Sequence, residues 1–132
     1  MFRTKLLVYQ DFIAAHSLDT RQEPHNHLWK TVCTFTGEPV RGRIIDLPTL
    51  ERAVVNQILP LENTYLNENN ELPEMTRGFP TCETLGAAIF ERIKHSVIKD
   101  LSVLNPTLKI LSVQVTLCDR GQIIGSAIFE QD

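Results

Sequence analysis

The sequence predicts an α+β fold built on one antiparallel sheet of four strands. Three observations carry that prediction. Strand-like segments cluster at both ends of the chain, at residues 3–16 and 25–36 and again at 108–118 and 123–129. Two segments of helical periodicity lie between them. No repeat, low-complexity stretch or linker divides the 132 residues, so 1–132 reads as a single domain, long enough to bury a core without staples. The order strand, strand, helix, helix, strand, strand puts two helices on one face of the sheet.

The elements justify themselves in order. Leu7, Tyr9 and Phe12 are among the large side chains of the first strand, and the second is rich in Thr, Val, Phe and Trp. Gly37-Glu38-Pro39 and Arg41-Gly42 are turn chemistry. Asp46-Leu47-Pro48-Thr49 opens the first helix, since proline's missing N–H has no intrahelical partner in a first turn. Leu50, Val54, Ile58 and Leu61 share a stripe, and Pro60 ends the helix near Leu59. Residues 62–80, with Asn67-Glu68-Asn69-Asn70, Pro73, Gly78 and Pro80, read as a long loop of the kind that often carries function. Thr81 is the expected N-cap of the second helix, and Glu83 lies in its first turn, where the helix dipole favours an anion. Leu85, Ala88, Ile89, Ile93 and Val97 form its apolar stripe, which ends before Asn105-Pro106. The last two strands join through Asp119-Arg120-Gly121 as a hairpin.

Composition narrows the function. Apolar residues make up 42% and charged residues 22%, the balance of an ordinary soluble domain. A formal charge of −3, from 13 basic and 16 acidic side chains, argues against a nucleic-acid partner, which needs a basic face. No apolar run approaches the ~20 residues that cross a bilayer, so no membrane partner is expected. The N-terminus lacks the apolar core of a signal peptide. Cys33, Cys82 and Cys118 are widely spaced, cannot all pair within one chain and form no Cys-x-x-Cys; reduced thiols and a cytoplasmic location are expected.

The histidines carry the chemistry. His25 and His27 alternate on a strand and so point to one face, ~6.6 Å apart along the chain. His16 ends the preceding strand, and antiparallel pairing brings it opposite them. Three neutral imidazoles with one open position are a recurring catalytic zinc arrangement, although copper, nickel and iron also accept imidazole. A His-x-His on a strand is by itself more often a surface pair than a metal site. The third histidine, one turn away, moves the balance. His95, late in the second helix, reads as a helix-surface residue and stands outside the site. Cys33 shares the face of His27 but lies ~20 Å along an extended strand, too far to bind the same ion.

These residues also carry a resemblance to a family. Phe12-Ile13-Ala14-Ala15-His16 is similar to a Phe-x-Ala-x-His motif, and His25-Asn26-His27 to a His-Gly-His. Gly42 to Leu50, with Asp46-Leu47, resembles Gly-x-x-x-Asp-Phe-x-x-Leu. Leu61-Glu62-Asn63-Thr64-Tyr65-Leu66-Asn67 resembles Leu-Asp-His-x-x-Leu-Asn, and Pro80-Thr81-Cys82-Glu83-Thr84-Leu85 resembles Pro-Thr-x-Glu-Asn-Leu. Their order and spacing resemble the 6-pyruvoyltetrahydropterin and 6-carboxytetrahydropterin synthases along nearly the whole chain. The resemblance implies the tunnelling fold, in which subunits pool strands into a barrel. It implies a homohexamer, a dimer of trimers with sites at subunit interfaces. It also implies Zn2+ on His16, His25 and His27, and a small pterin-like heterocycle as ligand.

The departures are equally specific. The family's catalytic cysteine, four residues before the first histidine of the pair, is Arg21 here. Its Asp-His pair is Glu62-Asn63, and asparagine does not shuttle protons. Its late-strand, pterin-anchoring glutamate falls near Leu117. Some relatives place a glutamate near the histidine pair in place of the cysteine and cleave the dihydropterin side chain, which makes Glu23 a candidate general base. Glu62 is the second catalytic candidate. Arg21, which can grip a carboxylate bidentately, Asn63 and Glu83 are the substrate-binding candidates. The reading is a zinc-dependent lyase acting on a reduced pterin side chain with altered acid–base residues. The alternative is a non-catalytic homo-oligomer that binds a metal or a heterocycle.

Overall fold

Four strands form one antiparallel sheet in the order β1-β2-β3-β4: β1 Lys5–His16, β2 His25–Thr36, β3 Lys109–Asp119 and β4 Gln122–Glu130. The computed structural model describes residues 3–18 and 23–131. Between β2 and β3 come α1 Leu47–Ile58, α2 Glu74–Gly78, α3 Cys82–Ile93, a π-helical turn Lys94–Ile98 and the short α4 Lys99–Leu101. The four-stranded α+β architecture expected from the sequence is the one observed. One face of the sheet is the core face. Val8, Phe12 and Ala14 of β1 and Trp29, Cys33 and Phe35 of β2 bury against Leu50, Val54 and Ile58 of α1 and Leu85, Ile89 and Ile93 of α3. Period-two alternation sends Leu7, Tyr9, Ile13, Ile124 and Ile128 to the other face, where they are exposed.

Local chemistry sets the element ends. The Asp46 carboxylate accepts from the Thr49 amide at 3.2 Å and the Thr49 hydroxyl at 2.7 Å, capping α1. Thr81 and Thr84 exchange hydrogen bonds in a capping box at the start of α3. Asp119 pairs with Gln122 across Arg120 (φ 52°) and Gly121 (φ 77°), two left-handed residues that make the tight hairpin turn.

Two expectations need correction. Residues 62–80 are not a plain loop. A 3-10 turn at Leu66–Glu68 and the helix α2 organise them, because Leu66 and Leu72 are buried anchors. The second helix is not one uniform α-helix either. Its buried residues Leu85, Ile89, Ile93, Val97 and Leu101 recur every fourth position. At 3.6 residues per turn each such step drifts ~40° around the axis. The wide turn at Lys94–Ile98 takes back part of that drift and keeps the stripe on the core.

One edge of the sheet is partly covered. Asn63, left-handed at φ 59°, donates its amide to the Ile13 carbonyl at 2.7 Å, and the Ala15 amide donates to the Thr64 carbonyl at 2.9 Å. The Glu62 carboxylate accepts from the Ile13 amide at 3.0 Å. Residues 62–65 therefore line the His16 end of β1. Among the described residues, the Lys5–Tyr9 stretch of that edge has no backbone partner, and β4 forms the other edge.

Candidate metal centre

Strand register builds the histidine cluster. His16 pairs directly with His25, and Ala14 with His27, so the three rings share the core face at one end of the sheet. Their centroids lie 4.6 Å (His16–His25), 5.0 Å (His16–His27) and 4.7 Å (His25–His27) apart. One ring nitrogen from each lies within 4.8 Å of the other two. Below them Trp29, fully buried, stands edge-on to His16 at 5.0 Å and to His27 at 6.1 Å, and its indole N–H donates to the Ala14 carbonyl at 3.1 Å.

Each ring is held by its Nδ1. His16 Nδ1 donates to the Pro80 carbonyl at 2.8 Å, His25 Nδ1 to the Glu23 carbonyl at 3.2 Å and His27 Nδ1 to the Cys118 carbonyl at 3.2 Å. A carbonyl can only accept, so these bonds place the proton on Nδ1 and leave the Nε2 lone pair free. Burial lowers the pKa of His16, helped by the neighbouring His25 and His27 and opposed by the bond to Pro80. Its ring is therefore kept neutral, the form that coordinates metals. Three converging imidazoles, each oriented from behind, are a donor set that could hold a metal ion such as zinc.

The other candidates are placed as follows. Glu23 lends its carbonyl to His25 while its side chain faces solvent. The Glu62 carboxylate and the Asn63 backbone both serve the β1 edge. Glu83 is exposed in the first turn of α3, three residues beyond the Pro80 carbonyl that anchors His16. Arg21 lies outside the described residues. Leu117 pairs with Trp29 and packs partly on the core. His95 stands apart on the helix surface, 2.9 Å from the Glu91 carboxylate.

Sequence reasoning missed three supports. The Pro80 carbonyl is one. The second follows His16: the Ser17 hydroxyl meets the Tyr65 hydroxyl at 2.6 Å, and Asn67 both accepts from the Ser17 amide and donates to its carbonyl. The third is Asp119, whose carboxylate lies 3.7 Å from His27 Nδ1. Only Asp119 had a sequence signal, the register of β2 against β3.

None of the cysteines belongs to the cluster. Burial pushes the Cys33 thiol up to about 12, and burial with the charge of Glu83 raises that of Cys82. Brief treatment of the native protein with iodoacetamide at neutral pH is expected to leave Cys33 and Cys118 unmodified, with any label on half-buried Cys82. Peptide mass spectrometry checks this, and denaturation should expose all three.

Fold and cluster together define a small tunnelling-fold protein with a three-histidine site. A sequence model described as 6-pyruvoyl tetrahydropterin synthase matches residues 5–119. The chain belongs to the 6-pyruvoyl tetrahydropterin synthase family. Its structure is similar to the Caenorhabditis elegans 6-pyruvoyl tetrahydropterin synthase, with TM-score 0.67 and 18% identity over 100% of both chains. The Plasmodium vivax enzyme gives TM-score 0.70 and 17% identity over 100% of this chain and 99% of that one. A variant of the P. vivax protein, described as a catalytic residue mutant with alanine in place of a glutamate, gives 0.67 and 16% over 99% and 100%. No curated protein matches. No helix among the described residues is long and apolar enough to cross a membrane.

Proposed function

We propose that this chain is a zinc-binding lyase acting on the side chain of a reduced pterin, in a self-assembled barrel. The observation that carries the reading is the histidine cluster, in which each Nδ1 bonds a carbonyl and one ring nitrogen of each histidine lies within 4.8 Å of the other two. A bound zinc ion supplies Lewis-acid polarisation of a side-chain oxygen. The chain's own residues do the rest. Glu23, two residues before His25 and solvent-facing, is the group to take a proton from a substrate hydroxyl. The description of a glutamate as catalytic in the P. vivax protein supports this role. Glu62 is the second catalytic candidate, with its carboxylate already engaged by Ile13. Arg21, Asn63 and Glu83 are the groups proposed to hold the heterocycle.

Self-assembly follows from the same surface. The open Lys5–Tyr9 edge, the β4 edge and the exposed Leu7, Tyr9, Ile13, Ile124 and Ile128 are what strand pooling would cover, and a homohexamer built as a dimer of trimers is the proposed state. The unpaired thiols suit a cytoplasmic location.

A second reading, a non-catalytic homo-oligomer that binds a metal or heterocycle, is favoured by one observation. The Glu62 carboxylate, at one of the family's acid–base positions, is bonded to the Ile13 amide, and Asn63 beside it has no side chain that shuttles protons. Turnover of a dihydroneopterin derivative by the zinc-loaded protein decides between them. Cleavage that falls about 10²–10⁴-fold in Glu23→Ala supports the lyase. No cleavage by the parent supports the second reading.

A further inference from the structure

The geometry points to Asp119 as a positioning residue for His27, a carboxylate that strengthens metal binding from behind the ring. The inference rests on the metal reading above and names a contributor that the three-ligand set leaves out. Continuing the pairing of Leu28 with Cys118 by one residue sets Asp119 directly across from His27 on the same face. The tight turn at Arg120-Gly121 and the pairing with Gln122 fix the Asp119 backbone there. Its carboxylate lies 3.7 Å from His27 Nδ1, while the Cys118 carbonyl accepts from the same nitrogen at 3.2 Å.

Carbonyl and carboxylate therefore bracket one N–H. The carbonyl fixes the tautomer. The carboxylate, beyond hydrogen-bond length, adds its negative charge, which makes the opposite nitrogen a better donor and attracts a dication. Among the described residues, His16 and His25 have carbonyls alone as Nδ1 partners. Among the described residues, Asp119 is the one carboxylate within ion-pair distance of a ring in the cluster. It is not a fourth ligand, because among the described residues the convergent set comprises His16, His25 and His27. A cavity of about 220 Å³ lined by Asn26, His27, Asp119 and Arg120 leaves the carboxylate, half-exposed at 45%, room to close on the nitrogen.

The test is zinc affinity, measured by competition with a chromophoric chelator, for the parent and for Asp119→Asn, Asp119→Ala and Asp119→Glu. Asn keeps the shape and removes the charge. The Asn and Ala variants are expected to bind about 10–100-fold more weakly, the cost of losing an outer partner of a ligating histidine. The Glu variant recovers most of that loss, and the metal-free Asn variant melts with the parent. A parent that binds zinc beside an Asn variant within twofold of it overturns this inference alone. So does a Glu variant as weak as Ala together with a metal-free Asn variant that melts well below the parent, since that pattern marks a structural role. A parent that takes up no zinc overturns the metal reading and this inference with it.

Discussion

His25→Ala is expected to lose stoichiometric zinc and keep its fold. The side chain stands at the start of β2 and is only half-buried. Among the described residues, it meets the two other imidazoles and the Glu23 carbonyl. Trimming this half-buried ring at the end of the sheet should cost about 1 kcal/mol, the ordinary size of a single substitution. The metal effect is far larger. Loss of an outer partner already costs about 10–100-fold in affinity, and removal of one of three ligands must exceed that. His16→Ala is a poorer probe, because its ring is 4% exposed and bonds the Pro80 carbonyl at 2.8 Å. That change would open a hole and orphan an acceptor as well. Metal analysis of tag-free protein after dialysis checks the prediction. The parent should hold about one zinc per chain, and His25→Ala less than a tenth of that. Equal zinc in both would remove His25 from the ligand set.

The sheet and the histidine trio were legible because both are consequences of period two. Alternation puts His25 and His27 on one face, and antiparallel pairing of the adjacent strand delivers His16 to them. The Thr81 cap was legible too, since it acts on an atom within three residues of itself. What sequence reasoning missed acts over long separations. His16 rests on the Pro80 carbonyl, and Glu62 finds the Ile13 amide, only after the helical layer has folded back on the sheet. A carbonyl carries no side-chain signature, so no pattern of residue types announces it. The π-helical turn was hidden for another reason. A four-residue spacing of buried positions fits an α-helix over two turns and conflicts with it only over five.

Trp29→Ala carries the largest expected effect on stability, because one side chain serves both the core and the histidine cluster. Its ring is fully buried, stacks with Phe12 at 6.2 Å and stands edge-on beneath His16 and His27. Truncating a buried tryptophan costs about 3–5 kcal/mol, against a total of about 5–15 for a domain. At about 3–5 °C per kcal/mol for a chain of this size, melting should fall by roughly 10–25 °C. Trp29→Phe separates the two roles. It keeps most of the ring packing and loses the indole N–H bond to Ala14, a cost of about 0.5–1.5 kcal/mol. If the indole merely fills volume, Trp29→Phe binds zinc as tightly as the parent. If it sets the pitch of both imidazoles, zinc affinity falls in Trp29→Phe at a temperature where circular dichroism shows the sheet intact. Chelator competition beside a melting curve distinguishes the two. The edge-on contacts to two of the three rings favour the second result, since a flat ring beneath them limits how each imidazole can tilt away from a shared ion.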